Sequence, residues 1–143
     1  MAALPWQAWA LLSAVFAALT AIFGKVGVEN INSDFATFIR TVVIVAVLAA
    51  ILTATRQAQP LSTIGAKTYV FLTLSGLATG ASWLCYYRAL KLGEASRVAP
   101  IDKLSVVLVA LFGVAFLGER LSWRNWAGVV LIGVGAVLVA LTR

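Results

Sequence analysis

The chain has 143 residues, of which 62% are hydrophobic and 11% charged, with a formal charge of +6 and a mean hydropathy of +1.01. Soluble domains carry about 45–50% apolar and about 25% charged residues, and a single domain of this length cannot hide so much apolar surface from water. A water-exposed globule is therefore excluded. The basic residues lie between or at the ends of apolar segments, as the loop charges of a membrane protein do, and form no stripe on a soluble helix. That distribution argues against nucleic-acid binding. Cys85 is the one cysteine and there is no histidine. An intrachain disulfide and a thiolate metal cluster are thus ruled out, and the commonest metal ligand and general base are missing. No metal or cofactor is expected. A membrane enzyme finds no nucleophile and base at a known spacing.

A helix needs about 20 apolar residues to cross a bilayer. Five segments meet or approach that length: residues 6–23, 35–55, 69–87, 98–117 and 123–142. The connections, residues 24–34, 56–68, 88–97 and 118–122, are short enough to make sequential helices antiparallel neighbours. The pattern predicts an all-α, polytopic membrane protein with five transmembrane helices, forming one domain over residues 1–143. The first segment lacks a basic leader and four similar segments follow it, so it reads as a retained span and not as a signal peptide.

If the N-terminal face of the membrane is called A, the directions alternate and the C-terminus falls on face B. Trp6, Trp9, Tyr69, Trp123 and Trp126 then sit at face-A ends, where an interfacial aromatic belt places them. Span one carries Ser13, Ala17, Thr20 and Gly24 on one face. Span two carries Thr37, Arg40, Thr41 and Ile44 near face B. Span three carries Ser75, Thr79, Ser82 and Tyr86 on one stripe, beside Gly76, Gly80 and Trp83. Span four opens with Asp102 and Ser105. Span five has no polar side chain between Trp126 and Leu141, but has Gly128 and Gly135 on one face and Ala136 and Ala140 as a small-xxx-small pair. Hydroxyls and small residues are ordinary packing glue between membrane helices. Their distribution nevertheless suggests that four helices surround a cavity, with the fifth outside or against another subunit.

Four charges fall inside the spans near face B. At about 1.5 Å of rise per residue, Arg40 and Lys103 lie about 7 Å inside their helices, and Arg88 about 6 Å from the end of its own. Long basic side chains can snorkel to the interface. A short carboxylate cannot, so Asp102 needs another account: the positive end of its helix, or an ion pair with Arg40, Arg88 or Lys103. The functional alternative takes all four as a polar gate or binding floor, and three bases with one acid sum to +2. Such a floor favours an anionic or zwitterionic group. Pro100 either begins the fourth helix or, if that helix starts as early as Ser96, kinks it into a hinge.

Loop charges set orientation. Face A holds Arg56, Lys67, Arg120 and Arg124, and face B holds Lys25, Lys91, Arg97 and Arg143, a tie of four against four. A tie permits insertion in both orientations, and so an antiparallel dimer. The embedded bases tip the count toward face B.

The run YYRALKLGEASRVAPIDKLSVVLVALFGVAFLGERLSWRNWAGVVLIGVGAVLV resembles the EamA-type domain of the drug/metabolite transporter superfamily, most of all its short bacterial and archaeal members with one five-helix unit. The matching features are the Arg88–Ala95 stretch, the Pro100 helix start, the LGER of Leu117–Arg120 and the glycine-rich last helix; the IRT within residues 38–42 is similar too. The resemblance covers essentially the whole chain. It implies a secondary carrier or exporter of small metabolites in the inner or plasma membrane of a prokaryote, working by alternating access. Longer relatives join two five-helix halves of opposite topology, with the site between them. A single half then implies an antiparallel homodimer, with Gly128, Gly135, Ala136 and Ala140 as its seam. The small four-helix members place an acid mid-membrane in the first helix; none is present here, so their mechanism does not carry over. The expected substrate site comprises Arg40, Arg88, Asp102 and Lys103, with Trp83 and Tyr86 as aromatic walls and Ser13, Thr20, Ser82 and Ser105 as polar lining. Asp102 is the candidate gating or proton-linked acid. The alternative is a non-transporting membrane partner such as a lipid-flippase subunit.

Overall fold

A computed structural model of the chain describes residues 5–141. The expected ends at Thr142 and Arg143 lie outside the described residues. Six helices are present: α1 (Trp6–Gly27), α2 (Ser33–Thr55), α3 (Ala66–Leu92), α4 (Ala95–Asp102), α5 (Ser105–Leu117) and α6 (Trp123–Leu141), with a 3₁₀ turn at Leu61–Thr63. The fourth and fifth run nearly end to end. Taken together as Ala95–Leu117, they give five helices long and apolar enough to cross a membrane. The described residues contain no strand, and the fold is an all-α, polytopic membrane fold.

The boundaries follow local chemistry. Asn32 caps α2: its extended backbone aims the side-chain Oδ1 at the amides of Asp34 (2.8 Å) and Phe35 (3.2 Å), which fills donors a helix start leaves open. Arg56, in the left-handed region at φ 53°, closes the same helix with its N–H on Leu52 and Thr53 carbonyls. Gly118 ends α5 at φ 69°, a conformation glycine takes without a Cβ penalty.

Four spans are longer than the sequence pattern predicts: span one runs on to Gly27, span two starts at Ser33, span three extends at both ends and span four at its start. Span three continues five residues past residue 87, through Arg88, Ala89, Leu90, Lys91 and Leu92, all good helix formers. The expected connection 88–97 shrinks to Gly93 and Glu94. Span four accordingly begins at Ala95, and Pro100 lies inside α4. With no N–H on Pro100, the Ser96 carbonyl loses its α-helical donor. Just beyond, the ladder tightens: Leu104 N donates to Ile101 O (3.0 Å), Val106 N to Lys103 O (3.0 Å) and Val107 N to Leu104 O (3.0 Å). A 3₁₀ step thus separates α4 from α5.

The chain divides into two compact units. One, Gly24–Lys91, holds the last turn of α1, α2 and nearly all of α3. Its core is small: Val28, Ala36, Tyr87 and Leu90 are buried, with Ser33 and Thr37 beside them. Thr37 satisfies its hydroxyl on the Ser33 carbonyl at 2.9 Å, and Thr41 does the same on Thr37 at 2.8 Å, the internal solution that hydrocarbon demands. Gly24 makes the core possible. A Cβ there would sit 3.1 Å from Tyr87 Oη and 3.3 Å from Leu90 Cδ1.

The other unit comprises Met1–Phe23 and Leu92–Arg143. Within it α6 packs along α4 and α5, Gly133 lies against Val107 Cγ2 at 3.2 Å, and Arg97 Nη2 donates to the Ala140 carbonyl at 2.8 Å. Between α5 and α6 runs an apolar groove of about 560 Å³, lined by Leu104, Val107, Leu108, Gly133, Val137 and their neighbours. Every helix also keeps large apolar side chains open to its surroundings, among them Phe16, Val45, Phe71, Phe116 and Leu131. That is ordinary for a helix solvated by lipid.

A valine at position 24 overpacks the Tyr87–Leu90 contact, at a cost of about 1–3 kcal/mol. A valine at position 27, where nothing lies within 4 Å, carries the same helix propensity without the clash. Gly24→Val is therefore expected to lower the thermal unfolding midpoint in detergent well below that of Gly27→Val.

Candidate functional site

The unit Gly24–Lys91 concentrates its charges where the start of α2 meets the end of α3. An antiparallel pair brings the first turns of one helix level with the last turns of the other, and three basic groups are anchored there. Arg88 grips Asp34 with two parallel bonds, Nε to Oδ1 at 2.8 Å and Nη2 to Oδ2 at 2.6 Å. Lys91 donates to the Ile31 carbonyl, and Lys25 Nζ to the Leu90 carbonyl at 2.8 Å. These bonds tie the α1–α2 connection to the end of α3.

Arg40 is held differently. Its guanidinium carbon lies 3.8 Å from the centroid of Trp83 and 5.3 Å from that of Tyr87. The two rings are four residues apart and so share one face of α3. Stacking on aromatic faces suits arginine's planar, weakly hydrated cation and is worth about 2 kcal/mol when desolvated. Nη1 of Arg40 is buried with no hydrogen-bond partner, and no carboxylate among the described residues pairs with this side chain.

The remaining sequence-predicted residues stand as follows. Trp83 and Tyr86 are half-buried, with Tyr86 6.4 Å from Tyr87 between ring centroids. Ser82 is exposed on α3. In the other unit, Ser13 is exposed and Thr20 half-buried on α1, and Ser105 is exposed at the first turn of α5. Asp102 and Lys103 stand together at the 3₁₀ step, Lys103 Nζ donating to Asp102 Oδ2 at 3.2 Å. Of the pairings open to Asp102, the one made is with its chain neighbour. On α6, Gly128 and Gly135 are half-buried, whereas Ala136 is buried by its own chain.

Two groups at the site escape the sequence pattern. Asp34 reads as a loop residue if span two begins at Phe35, yet Asn32-Ser33-Asp34 is a helix-start signature that carries an acid into the first turn. Tyr87 is the second ring at Arg40; its i, i+4 relation to Trp83 and the i, i+3 relation of Tyr86 both share that face, so spacing alone does not choose between them.

If Asp34 and Arg88 act as one unit, their substitutions are not additive. Asp34→Asn and Arg88→Gln are each expected to lower the unfolding midpoint, and the double variant to unfold no earlier than the worse single one.

A family profile described as the EamA-like transporter family matches residues 4–141. The chain is similar to an uncharacterized transporter in the cobO 3' region of a Sinorhizobium species, 68% identical over 135 residues that cover 94% of this chain and 96% of that protein. No solved structure matches.

Proposed function

The chain belongs to the EamA-like transporter family, and from that premise we propose that it is a secondary carrier of small metabolites, working by alternating access as an antiparallel homodimer in a prokaryotic inner membrane. The observation that carries the reading is Arg40, a cation placed inside a span, seated on two aromatic rings and matched by no carboxylate among the described residues. Intramembrane ionisable groups are costly and mark solute pathways by default. In its own unit, Arg88, Trp83, Tyr86 and Ser82 of α3 are the proposed polar and aromatic wall; Ser13, Thr20, Asp102, Lys103 and Ser105, which belong to the other unit, are proposed as substrate-contacting residues there. Asp102 at a broken span is the gating acid, since interrupted helices are where transporters of repeat architecture bind and move ions. The balanced loop charge supports the inverted pairing of two copies, with Gly128 and Gly135 as the small-residue seam.

One observation favours a second reading. The groove between α5 and α6 is lined by apolar side chains and glycine alone and has the character of a lipid-tail site, as a non-transporting partner such as a lipid-flippase subunit would need.

Flux separates the two. Proteoliposomes of the purified protein are expected to exchange at least one solute from a panel of radiolabelled amino acids, organic acids and nucleosides, and Asp102→Asn to slow that exchange about tenfold or more. Protein that moves none of them alone, while retaining bound lipid, supports the partner reading. The inverted dimer has its own measurement. With Cys85→Ser and Gln57→Cys together, an impermeant maleimide is expected to label comparable fractions from either side of the membrane. Labelling from one side only rules it out.

A further inference from the structure

Resting on the carrier reading and sharpening it, we propose that the solute is a small organic monocarboxylate whose carboxylate docks on the guanidinium of Arg40. The inference comes from comparing four basic groups in one unit. Lys25, Arg88 and Lys91 each donate to an oxygen of their own chain: Leu90 O, the Asp34 carboxylate and Ile31 O. Arg40 alone is held by rings, with Nη1 buried and unbonded. A guanidinium has five N–H donors and no acceptor. Rings can cover a face of the cation, but they leave its in-plane donors unspent. A buried charged donor without a partner is costly enough that a ligand, ion or water is the expected answer. Arg40 as a whole is only partly buried, and a solute that engages the covered Nη1 displaces the side chains over it.

Charge selects among ligands. Asp34 neutralises Arg88 by the bidentate contact. Lys25 and Lys91 keep their charge but spend donors on carbonyl oxygens, whereas Arg40 keeps a buried donor that no oxygen meets. A carboxylate matches the planar geometry of the fork. A dianionic phosphate costs more to desolvate than a singly charged carboxylate, and an organic cation would be repelled.

The test is equilibrium binding, independent of flux. The full chain, purified in a phosphate-free maltoside detergent, is titrated with benzoate, with the neutral isostere benzamide and with phenyl phosphate, while unfolding midpoint and intrinsic tryptophan fluorescence are followed. Benzoate is expected to raise the midpoint in a saturable way, benzamide not to, and phenyl phosphate to bind at least about tenfold more weakly. Losing a charge-assisted bidentate bond corresponds to about tenfold or more in affinity. Arg40→Gln is therefore expected to weaken benzoate by at least that factor. Arg40→Lys keeps a cation over Trp83 but lacks the fork, and is expected to weaken benzoate while preserving the fold if the glutamine variant does not survive. Arg124→Gln, an equal change in net charge on α6, is expected to leave binding as it is.

The proposal is overturned if the native protein gives no benzoate response, if benzamide matches benzoate, if phenyl phosphate binds more tightly, or if a folded Arg40→Gln or Arg40→Lys binds benzoate like the native chain. Repeating the titration in phosphatidylglycerol nanodiscs tells a free acid from a lipid headgroup: a benzoate response that vanishes there assigns Arg40 to the headgroup and overturns the proposal as well. Failure of the carrier reading looks different. Benzoate that binds through Arg40 but never crosses a proteoliposome leaves this assignment standing and removes transport, whereas flux of a neutral or cationic solute with no benzoate binding does the reverse.

Discussion

A cation carried into an apolar span has to be answered by an oxygen or by the face of a ring, and the α2–α3 unit is built on those answers. Arg88 takes the only acid in the first turn of α2, Lys91 and Lys25 take carbonyls at a helix start and a helix end, and Arg40 takes Trp83 and Tyr87. The packing around them follows from the same need. Tyr87 can lie beneath Arg40 because Gly24 leaves room for its hydroxyl end, and Leu90 is sealed in beside it. If Gly24 acquired a side chain, the ring would move and the support under the guanidinium would go with it. Steric and electrostatic order are here one arrangement and not two.

Arg40 and Arg88 are the same residue type on neighbouring helices, and the sequence places them at similar depth, yet they are in opposite states. Arg88 has spent its fork on Asp34 in the geometry that best satisfies it, leaving little for a ligand. Arg40 has spent only a face. That contrast separates a structural cation from one still able to bind, and it is made by partners and not by composition. The α5–α6 groove supplies the complementary case: walls without a polar group can hold a hydrocarbon chain but cannot orient a charged head.

The class of the protein and the rough spans were legible because hydropathy over twenty residues is a strong, redundant signal that survives errors of a few residues at each end. The ends were less legible for a physical reason. Helix α3 runs on through Arg88 and Lys91 because helix propensity and tertiary oxygens keep those residues helical, while a hydropathy window sees only polarity and stops. The same error hid Asp34, which counted as loop once span two was started at Phe35. Pro100 was open to two readings until the start of α4 was known, since one residue can be a first-turn proline or an interior one depending on where Glu94 ends the connection. The sequence pattern names Trp83 and Tyr86 as aromatic walls, and the rings against Arg40 are Trp83 and Tyr87. A stripe read at steps of three and four offers both neighbours, and only the direction in which α3 faces Arg40 chooses Tyr87.

The interior proline gives the fourth span a property the other spans lack. An unbroken helix in hydrocarbon saturates its own backbone and resists bending. Here the Ser96 carbonyl has no amide opposite it, and the 3₁₀ step at Lys103 and Leu104 interrupts the ladder again within two turns. Bending at such a place breaks fewer hydrogen bonds than bending elsewhere. Asp102 and Lys103 sit on that step, joined to each other across a single peptide link, so their contact survives a change in helix direction. A hinge that carries its own neutralised charge pair can move through a low-dielectric layer without uncovering an isolated ion.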